Sequence, residues 1–328
     1  DHRDLHLSLR RQRQMCIRDR SEKIKELESL VKRLEKNLRQ AKSLTGRSSQ
    51  SHNVIFVSDM HVGSSMALAP RHPYNSENDI EIKPNRIMTK MHDIWDYCLD
   101  NVTKTPHVMG MLGEPMDGDN PKQMGQQSWT TSFIDQVQAS SDLLKMWNAK
   151  NVIMVRGSGY HVQRGATNYE EIVARNIGAK RYRAYTPDGV KGINEKDTAS
   201  ITDYFADFRL NGKVFNMAHH IGFSKNEMYR TTGMARELVT MKLSNGLYNK
   251  ADLVARGHVH YHVRVSFTHT TGFTNPAWKL PDAHLFRGGV GGTKPDIGVV
   301  ECIVEPNEDV IVRPIIVETD LKPLIKEF

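Results

Sequence analysis

Five short β-rich runs in this chain each end in a loop carrying carboxylate or imidazole groups, and that placement constrains the fold more than any other feature. The runs are 54–57, 108–112, 151–155, 213–218 and 253–256. Behind them come Ser58-Asp59-Met60-His61, Gly113-Glu114-Pro115-Met116-Asp117-Gly118, Arg156-Gly157-Ser158-Gly159-Tyr160-His161, His219-His220 and Gly257-His258-Val259-His260. Helical spacing over 86–102, through Ile87, Met91, Ile94, Trp95 and Cys98, and over 129–147 and 229–242 separates several of the runs. Further strands are expected at 205–210, 263–268, 298–304 and 310–317. Strands alternating with helices predict an α/β layered domain with mixed sheets. In such sheets the loops beyond the carboxyl ends of the strands are where ligands converge.

A lone histidine is more often a surface or hydrogen-bonded core residue than a ligand, but here successive loops deliver such groups in series. Imidazole and carboxylate suit Mn, Fe, Zn and related divalent ions, and paired ions ~3.5 to 4 Å apart suit in-line attack on phosphorus. Glycines beside these residues permit the tight turns that bring them close.

The order Asp59-Met60-His61, Gly113-Glu114 with Asp117-Gly118, Gly157-Ser158 with His161, His219, and Gly257-His258-Val259-His260 resembles the calcineurin-like metallophosphoesterase superfamily over roughly residues 53–262. With the segment Asn275-Pro276-Ala277-Trp278-Lys279-Leu280-Pro281 and Pro295-Asp296-Ile297-Gly298, it looks most like a branch common in phages and prophages. The resemblance implies a two-sheet mixed β-sandwich flanked by helices across 53–328. It further implies two divalent ions (Mn, Fe, Zn, Ni or Mg) that generate a metal-bound hydroxide to attack a phosphate mono- or diester. Asp59, His61 and His260 would hold one ion, Glu114 would bridge, and His219 and His258 would hold the other, with His220 the alternative in its pair. His161 is expected near the substrate as general acid, although it is also an alternative metal ligand. Asp117 is read as a supporting or turn residue. Arg156 and Arg230 are candidates for the phosphate, with surface ion pairing the equal alternative.

Two positions depart from the resembled pattern. Glu114 stands where the superfamily usually has Asp, so the ions must sit farther from that backbone or the loop must retreat. Ser158 stands where it usually has Asn, and a hydroxyl is a poorer ligand than an amide carbonyl. The rival expectation is therefore a catalytically weak metal-binding scaffold or interaction module with a degenerate second metal site.

The chain carries a formal net charge of +7 over 328 residues, but residues 1–50 hold 14 Lys and Arg against seven Asp and Glu, which leaves 31 of each sign in 51–328. A nucleic-acid substrate, and with it a phage-type nuclease, stays open without net-charge support from the body. Gln14-Met15-Cys16-Ile17-Arg18-Asp19-Arg20 reads back as CAG ATG TGT ATA AGA GAC AGN, the transposon-end adapter of sequencing libraries. Residues 1–20 are thus expected to be an assembly artefact, the alternative being a natural basic tail. Ile24, Leu27, Val31, Leu34 and Leu38 form an a/d seam over 21–43, so 21–44 is expected as a short coiled-coil helix that pairs chains into a homo-oligomer or packs on its own domain. Ser-rich 45–52 is expected as a linker.

Three cysteines without paired spacing argue against a disulfide framework and for a reducing, cytoplasmic compartment. No run of ~18 apolar residues predicts a membrane span. His262, two positions beyond His260, is the one remaining histidine expected to point toward the site if the strand continues. The methionine-rich stretches around Met88, Met91, Met109 and Met111 read as core filling, and the glycine-rich 287–293 as a loop bordering the site.

Overall fold

Residues 54–57 are β-branched and aromatic and all buried, the signature of a strand covered on both faces. In the computed structural model this strand, β1 (His52–Val57), is the centre of a five-stranded sheet ordered β14-β13-β1-β4-β5. β4 (Val108–Met111) and β5 (Val152–Met154) run parallel to β1, while β13 (Ile297–Val304) is antiparallel to β1 and β14 (Ile311–Val317) antiparallel to β13. Pro314 falls on the edge strand β14, where a missing N–H is tolerated. A second five-stranded sheet, ordered β11-β12-β10-β9-β8, comprises β8 (Phe205–Leu210), β9 (Lys213–Ala218), β10 (Leu253–Arg256), β11 (Arg264–Phe267) and β12 (Thr270–Thr274). β10 is parallel to both β9 and β12. Two small hairpins, β2 (Tyr74–Asn75) with β3 (Ile80–Glu81) and β6 (Gln163–Arg164) with β7 (Thr167–Asn168), sit outside the sheets.

The structure describes residues 50–121, 125–180, 201–224, 226–243, 251–283, 294–306 and 308–319, together with Ser29 and Lys32. The chain divides into two units, 1–49 and 50–328. In the first, Ser29 and Lys32 are helical and exposed. The expected artefact over 1–20, the a/d seam, most of the linker and the glycine-rich 287–293 lie outside the described residues. His52, the last linker position, already pairs with Val304 as the first residue of β1.

Alternation along the strands builds the layers. Val54 and Phe56 face the second sheet and join Phe215, Met217, Ala255, Phe273, Val300 and Cys302 in one core. Ile55 and Val57 face the opposite way, onto α1 (Arg86–Asn101), α2 (Phe133–Lys145) and α4 (Tyr169–Asn176). α1 buries Met88, Met91, Ile94, Trp95 and Cys98, one helical face, and starts where Asn85 accepts from the Met88 N–H at 2.9 Å. Trp95 meets Trp147 and Trp278 edge-on at 5.2 and 4.8 Å. On the far side of the second sheet, α5 (Arg230–Leu243) buries Met234 and Leu238 against Val254. A short helix, α3 (Gly159–Val162), follows β5. The result is a mixed α/β fold of two facing sheets flanked by helices, as expected. The methionines read as core filling are buried. Cys98 and Cys302 are buried as well, and burial pushes the Cys98 thiol up to about 12, which leaves it inert.

Three expectations need correction. The helix expected over 129–147 begins only at Phe133, because Ser132 caps it through the Asp135 N–H and Trp129 lies in the preceding loop. β12 was absent from the expected strands. Its Thr270-Thr271-Gly272 start carries no apolar run, yet Gly272 fits there because an added Cβ would lie 2.3 Å from Met234 Sδ on α5. α4 was also missed, although Asn168 followed by Glu170 and Glu171 is a helix-start signal.

Candidate metal centre

β1, β4 and β5 are parallel neighbours, and so are β9 and β10, so five carboxyl ends open along one edge of the facing sheets. Backbone hydrogen bonds then stitch the loops together. Asp59 N–H donates to Gly113 O at 3.1 Å, His61 N–H to Glu114 O at 3.2 Å, and Gly257 N–H to His219 O at 3.0 Å. Asp59, His61, Glu114, His258 and His260 all take left-handed backbone conformations, with φ of 51°, 49°, 56°, 74° and 59°. Such conformations cost a non-glycine residue roughly 1–2 kcal/mol and persist where the surroundings over-determine them. Alternating residues in the Asp59-Met60-His61 turn go opposite ways, so that Met60 fills the core while its neighbours face the centre.

Asp59, His61, Glu114 and His260 bring one donor atom each within 4.8 Å of one another, and His219, His220 and His258 do the same. His61 Nδ1 lies 3.0 Å from Asp117 Oδ1 and donates to it, so Nε2 of the neutral ring is a lone pair. That lone pair faces Glu114 Oε2 and His260 Nε2, each at 3.2 Å. His219 Nδ1 donates to Leu112 O at 2.6 Å, which turns its Nε2 lone pair on Glu114 Oε1 at 3.2 Å. Asp59 Oδ1 is buried without a hydrogen-bond partner, 3.3 Å from His260 Nε2. Acceptor atoms aimed at one another repel unless a cation lies among them, and the donor set of imidazoles and carboxylates is one divalent ions take. The residues present therefore fit the implied ions.

Without an ion, protons answer that field. Burial and the Lys279 charge oppose protonation of His61, but Asp117 and Glu114 outweigh them and raise its pKa to about 9. Burial likewise opposes protonation of His219, and Glu114 with Asp59 raises it to about 10. Burial opposes ionisation of Asp59, yet the imidazoles of His219 and His260 bring it down to about 2. His258 moves the other way, to about 4, through burial and the His219 charge.

The two imidazoles of the pair left open in the sequence have unequal surroundings. Both His219 and His220 reach the second cluster, but only His219 contacts Glu114, while His220 is exposed with its ring 4.8 Å from that of His258. His161 stands edge-on to the His61 ring at 4.7 Å, its Nδ1 2.8 Å from Asp117 O. Asp117 lies behind the centre. Its Oδ1 accepts from His61 and from Lys279 Nζ at 2.8 Å, and its Oδ2 from Asn120 at 3.0 Å. His61, Asp117 and His161 also cluster closely enough to hold an ion, but the Lys279 ammonium already occupies the position facing Asp117. Arg156 donates to Thr202 Oγ1 at 2.9 Å, and Arg230 lies over the Tyr261 ring at 4.6 Å and pairs with Glu227 at 3.1 Å. His262 does not join either cluster. The strand stops at Arg256, and His262 Nδ1 turns to Thr274 O at 2.8 Å.

Two residues carry more of the site than the sequence suggested. Lys279 is buried and bridges Asp117 and Asp282, at 2.8 and 2.9 Å. It sits in the Trp278 segment noted in the sequence, where no role could be attached to it. Glu170, fully buried at the start of α4, accepts from backbone amides in the second and third loops. Between those loops Gly157 is required, since an added Cβ would lie 2.5 Å from Glu114 Cγ and 2.7 Å from Glu114 N. Gly157→Ala is expected to cost about 1–3 kcal/mol of stability, as overpacking does. A urea midpoint equal to that of the wild type would contradict the close approach.

No family model matches the chain, and no curated protein sequence does. Among solved structures it is similar to Vps29 from Entamoeba histolytica complexed with zinc, at 8% identity and a TM-score of 0.37 over 80% of this chain and 98% of that one. It is also similar to a predicted phosphoesterase from Streptococcus pneumoniae, at 9% identity and a TM-score of 0.32 over 81% and 98%. A novel archaeal phosphodiesterase gives 13% identity and a TM-score of 0.38 over 81% and 99%.

Proposed function

We propose that this chain is a metal-dependent phosphoesterase whose Asp59, His61 and His260 hold one divalent ion and whose His219 and His258 hold a second, with Glu114 between them. The observation that carries this reading is the buried Asp59 Oδ1, which has no hydrogen-bond partner and lies 3.3 Å from His260 Nε2 in a cluster with His61 and Glu114. Ions held there would supply Lewis acidity toward phosphoryl and water oxygens. The chain's own residues do the rest. Lys279 holds Asp117, and Asp117 fixes the tautomer and angle of His61. His161 donates Nδ1–H to the Asp117 carbonyl, which leaves Nε2 to carry the proton for a leaving oxygen. Burial lowers the pKa of His161, and the negative charge of an arriving phosphoryl group beside it favours the protonated form.

The substrate class extends to phosphate monoesters and diesters, the nuclease reading included. The test is metal-stripped full-length protein reloaded with Mn²⁺ and assayed on bis-p-nitrophenyl phosphate, p-nitrophenyl phosphate, and single- and double-stranded DNA. Hydrolysis that requires Mn²⁺ and falls in His260→Ala supports the proposal. Less than about one ion per chain with no hydrolysis would instead favour the scaffold reading, and undiminished hydrolysis by His260→Ala would discredit the site.

A further inference from the structure

We propose that Glu170 is a positioning residue that sets the second ion's half of the centre by clamping the Glu114 and Ser158 loops together; this rests on the two-ion reading above. Glu170 opens α4, where Asn168 Oδ1 accepts from its N–H at 2.9 Å and from that of Glu171 at 3.3 Å. Its side chain is fully buried and spans two loops. Oε1 accepts from Glu114 N–H at 2.9 Å and Gly157 N–H at 3.1 Å, and Oε2 accepts from Gly157 N–H at 2.9 Å. One carboxylate thus satisfies a backbone donor at the end of β4 and another beyond β5. Neither amide belongs to a strand ladder, and a buried N–H left unpaired costs about 1–3 kcal/mol.

The clamp has a direction. Glu114 sits at φ 56°, a conformation glutamate does not favour, and its pinned N–H helps hold it there. Gly157 is drawn against Glu114, which brings both the Ser158 N–H, at 3.2 Å, and the Ser158 hydroxyl onto Glu114 Oε1. That oxygen faces His219, whereas Oε2 faces His61. Apart from Glu114, the members of the first cluster have supports that do not run through Glu170: Asp117 behind His61, the His258 N–H on Asp59 Oδ2 at 3.0 Å, and the Asp296 N–H on His260 O at 2.9 Å. Loss of the clamp therefore releases Oε1 and Ser158 first, and the His219 side of the centre with them.

The experiment is equilibrium dialysis of metal-stripped full-length wild type, Glu170→Gln and Glu170→Ala against Mn²⁺, with metal analysis of the protein and kcat and KM measured in parallel. In Glu170→Ala the second ion is expected to bind about tenfold more weakly or worse, and the first within about threefold of wild type. Glu170→Gln, which keeps the volume but only one acceptor oxygen, falls between them and carries the same criterion should the alanine variant not fold. At limiting Mn²⁺ kcat drops with KM unchanged, and saturating Mn²⁺ restores kcat, a recovery that a merely structural defect would not give. Equal weakening of both ions, or of neither, overturns the proposal. A wild type that takes up only one ion overturns the two-ion reading together with it.

Discussion

Asp59→Asn will bind one ion fewer per chain than wild type and lose on the order of 10³-fold in kcat/KM, about 4 kcal/mol of transition-state stabilisation. The substitution keeps the shape of the side chain but replaces a buried carboxylate oxygen that has no hydrogen-bond partner. It also leaves an oxygen able to accept the His258 N–H, so the fold of the two loops is retained. Metal analysis after dialysis and steady-state kinetics decide it together. Wild-type metal content in this variant would mean that His61, Glu114 and His260 suffice, and that Asp59 serves only to hold the backbone of the last loop.

Metal-free protein will lose stability as the pH rises above about 6.5. His61 and His219 have folded-state pKa values of about 9 and about 10, raised from the ordinary 6.5. The folded protein binds those protons more tightly than the unfolded chain. Their stabilisation is complete below about pH 6.5 and is lost as pH rises toward 9 and 10, at about 1.4 kcal/mol per pH unit for each proton difference. His258, lowered to about 4, acts in the opposite sense between about pH 6.5 and 4, and buried Glu170, raised to about 7, opposes it over much of that range, so the alkaline loss is the clear signal. Divalent ions displace the protons of His61 and His219, so the stabilisation they give grows with pH. Urea unfolding in EDTA and in Mn²⁺ at pH 5, 6.5 and 8.5 measures this. A metal-free midpoint that does not change between pH 6.5 and 8.5 would show that these histidines are neutral without an ion.

The carboxylates and imidazoles that cluster were legible because their chemistry is local. A β-rich run, a turn, and a His or Asp directly after it can all be read within ten residues, and five such units in order left little freedom in how they assemble. The strands of both sheets were legible for the same reason, with β12 the exception, since its fit depends on α5 lying over Gly272. His262 was misjudged because the expectation extended a strand that the Gly257-His258-Val259-His260 turn ends. The choice between His219 and His220 was closed to the sequence, since adjacent imidazoles differ only in which one a distant carbonyl, Leu112 O, orients.

By itself the sequence determined the layered α/β architecture, the edge at which carboxylates and imidazoles gather and the residues offered there, because strand period, turn residues and side-chain type are properties of short segments. The tertiary structure decided what stands behind those ligands. Lys279 reaches Asp117 across 162 positions, and Glu170 joins the Glu114 and Gly157 loops across 56 and 13. Contacts of that range exist only once the sheets have packed face to face, and they fix which nitrogen lone pairs and which carboxylate oxygens point at the place where an ion would sit.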